Sequence, residues 1–559
     1  MGLPCATSLF PLRILMRSLT RTFLLSTAFA VFAVANASAT LFIVDNHAPA
    51  GGDGTIEHPF RTIAAASEVS HESDVIYVTP SSTPYTETVI LKFGQKLVGA
   101  SDDPVIGSMG IDLPKSSDTA TIQGTVNLGG DNVVAALTII ADRTNGVSAA
   151  GSSDKILIRN VHFRTSNSGF GLYLADHGGD VSVIGGGLEA TQNGGGIAVV
   201  GGTGNVFFDQ FPMSGSFATV VRASDHAFGA ILFREGCDIR VDDALYDAIV
   251  LENLGTRAPI AFNAGLSVRS GRRRGIVVSH VQRLNVGGDA TIATTNAAAL
   301  DISDSAGDAV FHSVSAEGTT PYAIRIARFR GHAAIQGGTV RGATSHAIDI
   351  DDATGVEVTG VIVDGGGGIV ATKPHDVTFN SIDVRNATGV MVSDVDGAIH
   401  FERCTFTTPV TIDQRVGTGS VMLDRCHFDK QPVRLLATGA TKVNVEINGA
   451  DASDSAMSMS AVSSAQIAIA VHGGRFTRSP IDAKSDGMSS VCADISGARF
   501  SPSEKAIQLS AAEGGKLAIV GARNADASSM RTTIAHANND AAVSIDAPSA
   551  SLSAATKCE

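Results

Sequence analysis

The sequence of 559 residues predicts an all-β fold, in which one chain coils as a solenoid of short parallel strands. The first observation is a tetrad (small, apolar, charged, apolar) that recurs as ALDI at Ala299, AIRI at Ala323 and AIDI at Ala347. With Gly, Ala or Pro allowed at the first position, sixteen intervals between tetrads span 396 residues from Gly146 to Ala542, a mean just under 25. The second observation is that short alternating apolar runs, separated by Gly, Asn and Asp, fill each interval, while helical periodicity is almost absent.

The first 39 residues predict a signal peptide. Arg17 and Arg21 precede an apolar run, residues 23–35, and Ala37-Ser38-Ala39 fits a small-residue cleavage site. We therefore expect a secreted, periplasmic or cell-envelope protein that is cleaved near Ala39 and has no membrane span in its mature form. Removal of three arginines and no acids changes the net charge from −14 to −17 (−14 − 3), which does not favour a nucleic-acid partner.

Residues 40–98 predict an N-terminal cap and the first strands. The segments GGDGTIEHPFRTIAAASEV (51–69) and SDVIYVTPSSTPYTETVIL (73–91) resemble the N-terminal region of right-handed parallel β-helix proteins of the pectin lyase-like superfamily. Pro59 suits the first turn of a helix, and Phe60, Ile63 and Ala64 share one face of it. The resemblance implies a single right-handed parallel β-helix, here of about 16 coils, with a short capping helix over its apolar end.

Residues 99–546 contain the β-helix repeats, and the Ala/Ser-rich residues 547–559 predict a disordered tail. Cys404 in ERCTF and Cys426 in DRCHF occupy matching places, so we expect both thiols to point inward on adjacent coils. Whether they are bonded stays open, because strand spacing places their Cβ atoms about 4.8 Å apart, beyond the preferred range. Cys237, Cys492 and Cys558 have no evident partner in the sequence.

Two columns of charge run along the middle of the predicted shaft. Aligned tetrads place Asp301, Arg325 and Asp349 at the outward third position of successive coils. A second column, three residues further on, comprises Asp304, Arg328, Asp352 and Lys373, with His280 one coil earlier and His332 and His375 slightly further round.

These columns have a functional and a structural interpretation. In the resembled superfamily, carboxylates or a bound cation on the outer face neutralise a uronate while an Arg or Lys abstracts a proton. That comparison implies two sets of candidates. The catalytic candidates are Asp301, Arg325, Asp349, Asp352 and Lys373. The ligand-binding candidates are Asp304, Arg328, His280, His332 and His375. Alternatively, charges of alternating sign on neighbouring strands attract by roughly 0.2–1 kcal/mol each and only fix the register.

The sequence favours binding over catalysis. Ser345-His346 and Asp364-Gly365-Gly366 stand where polygalacturonases carry Asn-Thr-Asp and Gly-Asp-Asp, and the Arg-x-Pro-x-x-Arg run of pectate lyases is missing. Trp is absent and Tyr occurs five times, whereas sugar clefts usually stack rings on aromatic faces. We therefore expect a glycan-binding, partner-binding or structural protein. The alternative is a divergent uronate lyase, glycoside hydrolase or epimerase, with its site on the mid-shaft outer face.

The sequence also allows predictions about cofactors and about the protein surface. No cofactor is evident, no residues have metal-ligand spacing, and calcium would be expected only for a lyase. RSGRRRG (269–275) could bind an anionic polymer but more often such a turn is solvated. Apolar residues also occupy the outward tetrad position and either lie under loops or form a patch for a partner: Ala198, Val220, Val250, Val277, Val370 and Met391.

Overall fold

The computed structural model describes residues 39–99, 118–287, 289–501, 505–512 and 514–558. The predicted signal peptide lies outside the described residues except for Ala39. Residues 40–559 form one compact unit. Within it the chain makes an all-β parallel solenoid of about 18 turns, which confirms the predicted β-helix.

Each full turn contributes one strand to each of three parallel ladders, which we call A, B and C in chain order. Ladder A contains β1 (Leu41–Val44), β2 (Val75–Val78), β5 (Lys96–Gly99), β8 (Val133–Ala135), β11 (Ile156–Ser166), β14 (Val206–Asp209), β17 (Ile231–Phe233), β20 (Ile260–Phe262), β23 (Leu284–Val286), β26 (Ala306–Phe311), β29 (Arg330–Ile335), β32 (Thr354–Thr359), β35 (His375–Asn380), β38 (Gly397–Glu402), β41 (Thr418–Asp424), β44 (Lys442–Asn448), β47 (Gln466–His472), β50 (Ser490–Ser496), β53 (Lys516–Val520) and β55 (Leu552–Ala555).

Ladder B follows ladder A in each turn. Its strands are β3 (Tyr85–Thr86), β6 (Ala120–Gln123), β9 (Leu137–Asp142), β15 (Met213–Phe217), β18 (Ile239–Ala244), β21 (Leu266–Ser270), β24 (Thr291–Thr295), β27 (Ser313–Glu317), β30 (Gly338–Arg341), β33 (Val361–Gly366), β36 (Asp383–Ala387), β39 (Thr405–Phe406), β42 (His427–Asp429), β45 (Asp451–Ser453), β48 (Arg475–Thr477) and β51 (Arg499–Phe500). The long strand β11 continues from ladder A into ladder B.

Ladder C carries the tetrads. Its strands are β4 (Val89–Ile90), β7 (Val126–Leu128), β10 (Val147–Ala150), β12 (Phe170–Ala175), β13 (Val181–Val200), β16 (Val221–Ser224), β19 (Ile249–Leu254), β22 (Ile276–Val281), β25 (Leu300–Ser303), β28 (Tyr322–Ala327), β31 (His346–Asp351), β34 (Gly368–Thr372), β37 (Val390–Ser393), β40 (Val410–Gln414), β43 (Val433–Gly439), β46 (Met457–Ser463), β49 (Ile481–Ser485), β52 (Ile507–Ala511) and β54 (Val543–Asp546). The long strand β13 runs through all three ladders.

Stacked apolar side chains fill the interior. The inward tetrad residues Leu300, Ile324 and Ile348 are fully buried. Phenylalanines stack along the axis, with ring centroids 4.7 Å apart for Phe208 and Phe233. Because strand side chains alternate between the two faces, burial of these residues turns the middle residue of each tetrad outward.

The N-terminal helix predicted by the sequence is present as α1 (Ile63–Val69). Thr62 caps it by accepting a hydrogen bond from the Ala65 amide, and the Glu87 carboxylate accepts from the amides of Ile63 (2.9 Å) and Ala64 (2.7 Å). The predicted face is wrong in two residues, because Phe60 lies before the helix and Ala64 is exposed, whereas Ala66 is buried. The prediction that Pro59 lies in the first turn is also wrong, because the helix begins at Ile63.

The C-terminal region differs from the expectation. A second helix, α2 (Ala527–Ala537), lies within the 36-residue interval between the tetrads at Ala506 and Ala542, and its Met530 and Ile534 are buried. The tail for which the sequence predicts disorder contains a short 3-10 helix and strand β55, which pairs with β53. Cys558 is bonded to Cys492, and neither cysteine had an evident partner because the tail lies outside the repeat. Cys404 and Cys426 are buried and free, as the inward-facing prediction requires.

Among the helices that the structure describes, none is long and apolar enough to cross a membrane.

Candidate functional site

The first charged column lies on the outer face of ladder C as the sequence predicts. Asp301 pairs in register with Arg325, and Arg325 pairs with Asp349. The Arg325 guanidinium lies 3.8 Å from the Asp301 carboxylate and 3.7 Å from that of Asp349. Both distances exceed those of a strong ionic hydrogen bond, so Arg325 joins its neighbours only loosely.

The strongest partner of Asp301 is a residue that the sequence analysis missed. Arg274, the last arginine of RSGRRRG, places its guanidinium 2.9 Å from Asp301 and 2.8 Å from Asp247. Tyr322 donates its hydroxyl to Asp301 at 3.0 Å. Asp301 is only 6% exposed, so these donors compensate a carboxylate that burial would otherwise penalise. Burial and the charge of Asp301 in turn raise the pKa of Tyr322.

A simple signal could have found these residues. Asp247, Arg274, Tyr322 and His346 each stand immediately before the first residue of a tetrad, at Ala248, Gly275, Ala323 and Ala347. The same position therefore forms a further column at the start of the ladder C strands. These residues were not predicted because the aligned columns begin at the tetrads, and RSGRRRG has the composition of a solvated loop.

The second charged column occupies a tight turn between ladders C and A. His280, Asp304, Arg328, Asp352 and Lys373 all have a positive φ, between 46° and 55°. Such left-handed residues in successive coils mark a repeated turn that reverses the chain, and Asp is well suited to it. This column therefore has a backbone role that the charge pattern alone does not indicate.

Within that turn the charges pair with one another. Arg328 donates two hydrogen bonds to Asp304, at 2.5 and 2.7 Å, and lies 3.6 Å from Asp351. The hydrogen bonds from Arg328 lower the pKa of Asp304. Asp304 and Arg328, which the sequence predicts as ligand-binding residues, are therefore paired with each other.

The remaining candidates are separate from the Asp301 group. His375 lies 3.3 Å from Asp352, and Arg330 also pairs with Asp352 at 2.9 Å. His332 lies 2.9 Å from Asp308 on ladder A.

Lys373 is exposed at its turn, and no ion pair of Lys373 is found within the described part of the chain. The structure thus brings together Asp301, Arg325 and Asp349, and it places Asp352 and Lys373 elsewhere.

The apolar outward positions divide into covered and open ones. Ala198 and Val277 are buried, whereas Met391 is 45% exposed. The prediction for Val220 is wrong, because Arg222 occupies the outward position and pairs with Val250, which leaves Val220 in the core. The tetrad of that coil begins at Val220, because Ala198 pairs with Arg222, and valine is not among the first-position residues that the alignment allowed.

A cleft of about 470 Å³ lies beside the turn that joins ladders B and C. It crosses five consecutive strands of ladder B, from β18 to β30. Its charged lining residues carry both signs: Asp242, Asp243, Arg269, Glu317 and Arg341. Thr295 pairs in register with Glu317, and Glu317 pairs with Arg341, so acceptor and donor groups alternate along the axis.

Residues with hydroxyl groups line the same cleft, among them Thr295, Ser315 and Thr339. Ser270 and Thr294 also border it, but they are buried and donate their hydroxyls to the carbonyls of Arg273 and Ala297. Arg269 and Arg274 come from one turn, RSGRRRG, yet only Arg269 lines the cleft. Arg274 belongs to what we call the ladder C network, which comprises Asp247, Arg274, Asp301, Tyr322, Arg325 and Asp349. The cleft was not predicted, because ladder B lacks an obvious tetrad and its charges lie at the ends of strands.

No group of three or more His, Cys, Asp or Glu that could hold a metal ion occurs among residues 39–99, 118–287, 289–501, 505–512 and 514–558. Comparison of the chain with protein-family models, curated proteins and solved structures found no match.

Proposed function

We propose that the chain is an exported, glycan-binding β-helix protein of the cell envelope or extracellular space, similar in architecture to the right-handed β-helix proteins of the pectin lyase-like superfamily. The observation that carries this proposal is the cleft over five strands of ladder B. Four strand spacings of about 4.8 Å correspond to roughly 19 Å along the axis. A cleft that follows the axis suits a linear polymer better than a compact molecule.

The chemistry of the lining favours a hydroxyl-rich ligand. Threonine and serine hydroxyls both donate and accept hydrogen bonds, carboxylates accept, and guanidinium groups donate. Sugar hydroxyls need both kinds of partner at short intervals, and the register Thr295–Glu317–Arg341 offers them on successive strands. Three acids and two arginines line the cleft, so a neutral or mixed-charge glycan fits better than a strongly anionic one.

The contacts of Asp301 favour a structural role over catalysis at the predicted column. Arg274 and Tyr322 donate hydrogen bonds to Oδ2 of Asp301, whereas Oδ1 is buried, lies 3.8 Å from Arg325 and has no hydrogen-bond partner among the described residues. A general base must come within hydrogen-bond reach of its substrate, and burial keeps this carboxylate away from a polymer on the outer face. We therefore assign the Asp301 column to holding the coils in register.

The test uses residues 40–559 with neutral and uronate polysaccharides. We expect binding in affinity electrophoresis, weakened at least tenfold by Arg341→Gln and by Glu317→Gln. Arg434→Gln is the matched control, because Arg434 is an exposed arginine on a strand of ladder C away from the cleft. Equal effects of Arg341→Gln and Arg434→Gln would contradict the cleft as the binding site.

The alternative enzyme is tested with the same polymers. Absorbance of an unsaturated product, with or without calcium, would identify a lyase, and new reducing ends would identify a hydrolase. Either result would replace the binding function with a catalytic one.

A further inference from the structure

A groove lies on ladder C, on the other side of the turn from the cleft. Its volume is about 340 Å³, and Val370 and Met391 are among its lining residues. It forms where the turn between ladders B and C shortens. β30 ends at Arg341 and β31 begins at His346, whereas β33 ends at Gly366 and β34 begins at Gly368. Shorter turns without bulky side chains leave the outer face of ladder C open here.

Glycine is required for this shape. A Cβ atom on Gly368 would lie 1.6 Å from the Gly389 carbonyl oxygen, so the two coils approach too closely for a side chain. Gly389 itself has a φ of +138°. Apolar residues of the next strands therefore line a groove, while His346 closes one end of it.

A carboxylate stands beside that closed end. Asp349 pairs in register with Val370, and its side chain is 21% exposed. Its ionic neighbours are distant, Arg325 at 3.7 Å and His346 at 3.9 Å. Within the part of the chain that the structure describes, no hydrogen bond to this carboxylate is found. Burial raises the pKa of Asp349, as expected for a carboxylate that lacks close donors.

We propose that this groove binds a small primary amine with an aliphatic body, with Asp349 as the counter-ion of the ammonium group. The ammonium would supply the close donor that the carboxylate lacks, and the aliphatic body would cover Val370 and Met391. The two ends of the groove differ in charge, because Asp349 lies beside one end and Arg434 pairs in register with Thr411 at the other. An ammonium group is therefore attracted to the Asp349 end.

The size of the groove favours a small molecule. Asp349 and Met391 are two strands apart, or about 9.6 Å at 4.8 Å per strand. A volume of about 340 Å³ lies at the lower end of the range for small-molecule sites. The proposal does not depend on glycan binding, since the groove and the cleft share no lining residue.

The experiment measures n-hexylammonium binding to residues 40–559 by calorimetry or ligand-observed NMR. We expect 1-hexanol and hexanoate to bind at least tenfold more weakly than the amine, and added salt to weaken only the amine. Asp349→Asn should reduce amine binding at least tenfold. Asp482→Asn is the matched control, because Asp482 is exposed in the same outward column of ladder C, away from the groove.

A second pair of variants guards against a folding effect of Asp349→Asn. Met391→Lys places an ammonium on an aliphatic stem inside the groove, so it should abolish amine binding while the melting temperature is kept. Met391→Gln has a similar length without the charge, and it should bind the amine within a few-fold of the wild type. Equal binding of hexanol and hexylammonium would overturn the proposal, as would equal losses in Asp349→Asn and Asp482→Asn.

Discussion

Two histidines at the residue scale have an unusual environment. His177 and His226 are fully buried in turns that follow strands of ladder C, with ring centroids 6.1 Å apart. The coil between them has Gly202 at this place. His226 approaches the Gly201 carbonyl with Nδ1 at 2.8 Å, whereas neither ring nitrogen of His177 has a hydrogen-bond partner within the described residues. Burial, and then the charge of His226, lower the pKa of His177 to about 4, although Asp180 opposes the shift.

This pKa predicts acid sensitivity. A histidine has a pKa of about 6.5 in the unfolded chain, so between pH 6.5 and 4 the unfolded state binds more protons than the folded state. Stability should therefore be complete above about pH 6.5 and fall as the pH approaches 4, by up to about 3 kcal/mol from His177. Urea unfolding of the wild type and of His177→Leu between pH 7.5 and 4 measures the difference.

The control for that prediction is His47→Gln, because His47 is 61% exposed. The free energy of unfolding of this variant should follow the wild-type pH dependence, whereas that of His177→Leu should be flatter. Parallel curves for the wild type and His177→Leu would show that this imidazole does not contribute to acid sensitivity.

At the scale of the element, the stability of the ladder C network depends more on Arg274, which lies in a turn, than on Arg325, which lies on a strand. Arg274 makes contacts of 2.8 and 2.9 Å, while Arg325, on strand β28, makes contacts of 3.7 and 3.8 Å. Hydrogen bonds to charged groups contribute about 1.5–3 kcal/mol, and looser exposed ion pairs about 0.2–1 kcal/mol.

We therefore expect Arg274→Gln to destabilise the protein by about 1–2 kcal/mol, because it leaves the buried Asp301 with fewer donors. Arg325→Gln should cost less than about 1 kcal/mol and should matter least at high salt. Chemical unfolding of both variants at low and high salt provides the comparison. If Arg325→Gln were the more damaging change, the network would be centred on the strand and our assignment of Arg274 would be wrong.

Ladder C shows how much of a repeat can be predicted from the sequence. The tetrad alignment predicted that Asp301, Arg325 and Asp349 are neighbours, because equal coil lengths fix which residues stack. The alignment was wrong at Val220, because the tetrad of that coil begins with valine rather than Gly, Ala or Pro, and Arg222 therefore takes the outward position. It also could not show Arg274, since a turn residue reaches its partner by its own conformation rather than by strand register.

The cleft and the C-terminal disulfide could not be predicted from the repeat for another reason. The cleft depends on how far the turns between ladders B and C project, and turn length does not give turn conformation. Cys558 follows the last tetrad, so nothing in the repeat places it beside Cys492. Periodicity predicts contacts between equivalent positions of the repeat, but it does not predict contacts between a repeat and a tail.

At the scale of the whole molecule, a β-helix buries its core along the shaft and needs a cover at each end. One continuous core runs from Val44 to Leu552. Near its N-terminal end α1 contributes Ile63 and Ala66 to this core, and it packs against β1, β2 and β4. Near the other end α2 contributes Met530 and Ile534. Terminal segments of this kind keep repeat proteins soluble because they hide the last apolar layer.

We therefore expect deletion of residues 40–98 to make the protein aggregate. The deletion removes α1, strands β1 to β4 and three of the four residues of β5, and it exposes core residues of the next turns such as Ile122 and Val134. Each such side chain loses roughly 1.5–3 kcal/mol of burial energy, and the bare strands can pair with other molecules. Deletion of residues 547–559 is the control, because it removes β55 and Cys558 but leaves α2 in place. Light scattering and size-exclusion chromatography should show aggregates for the first deletion and a soluble protein with a lower melting temperature for the second. A soluble first deletion with wild-type stability would mean that residues 40–98 are not the cap.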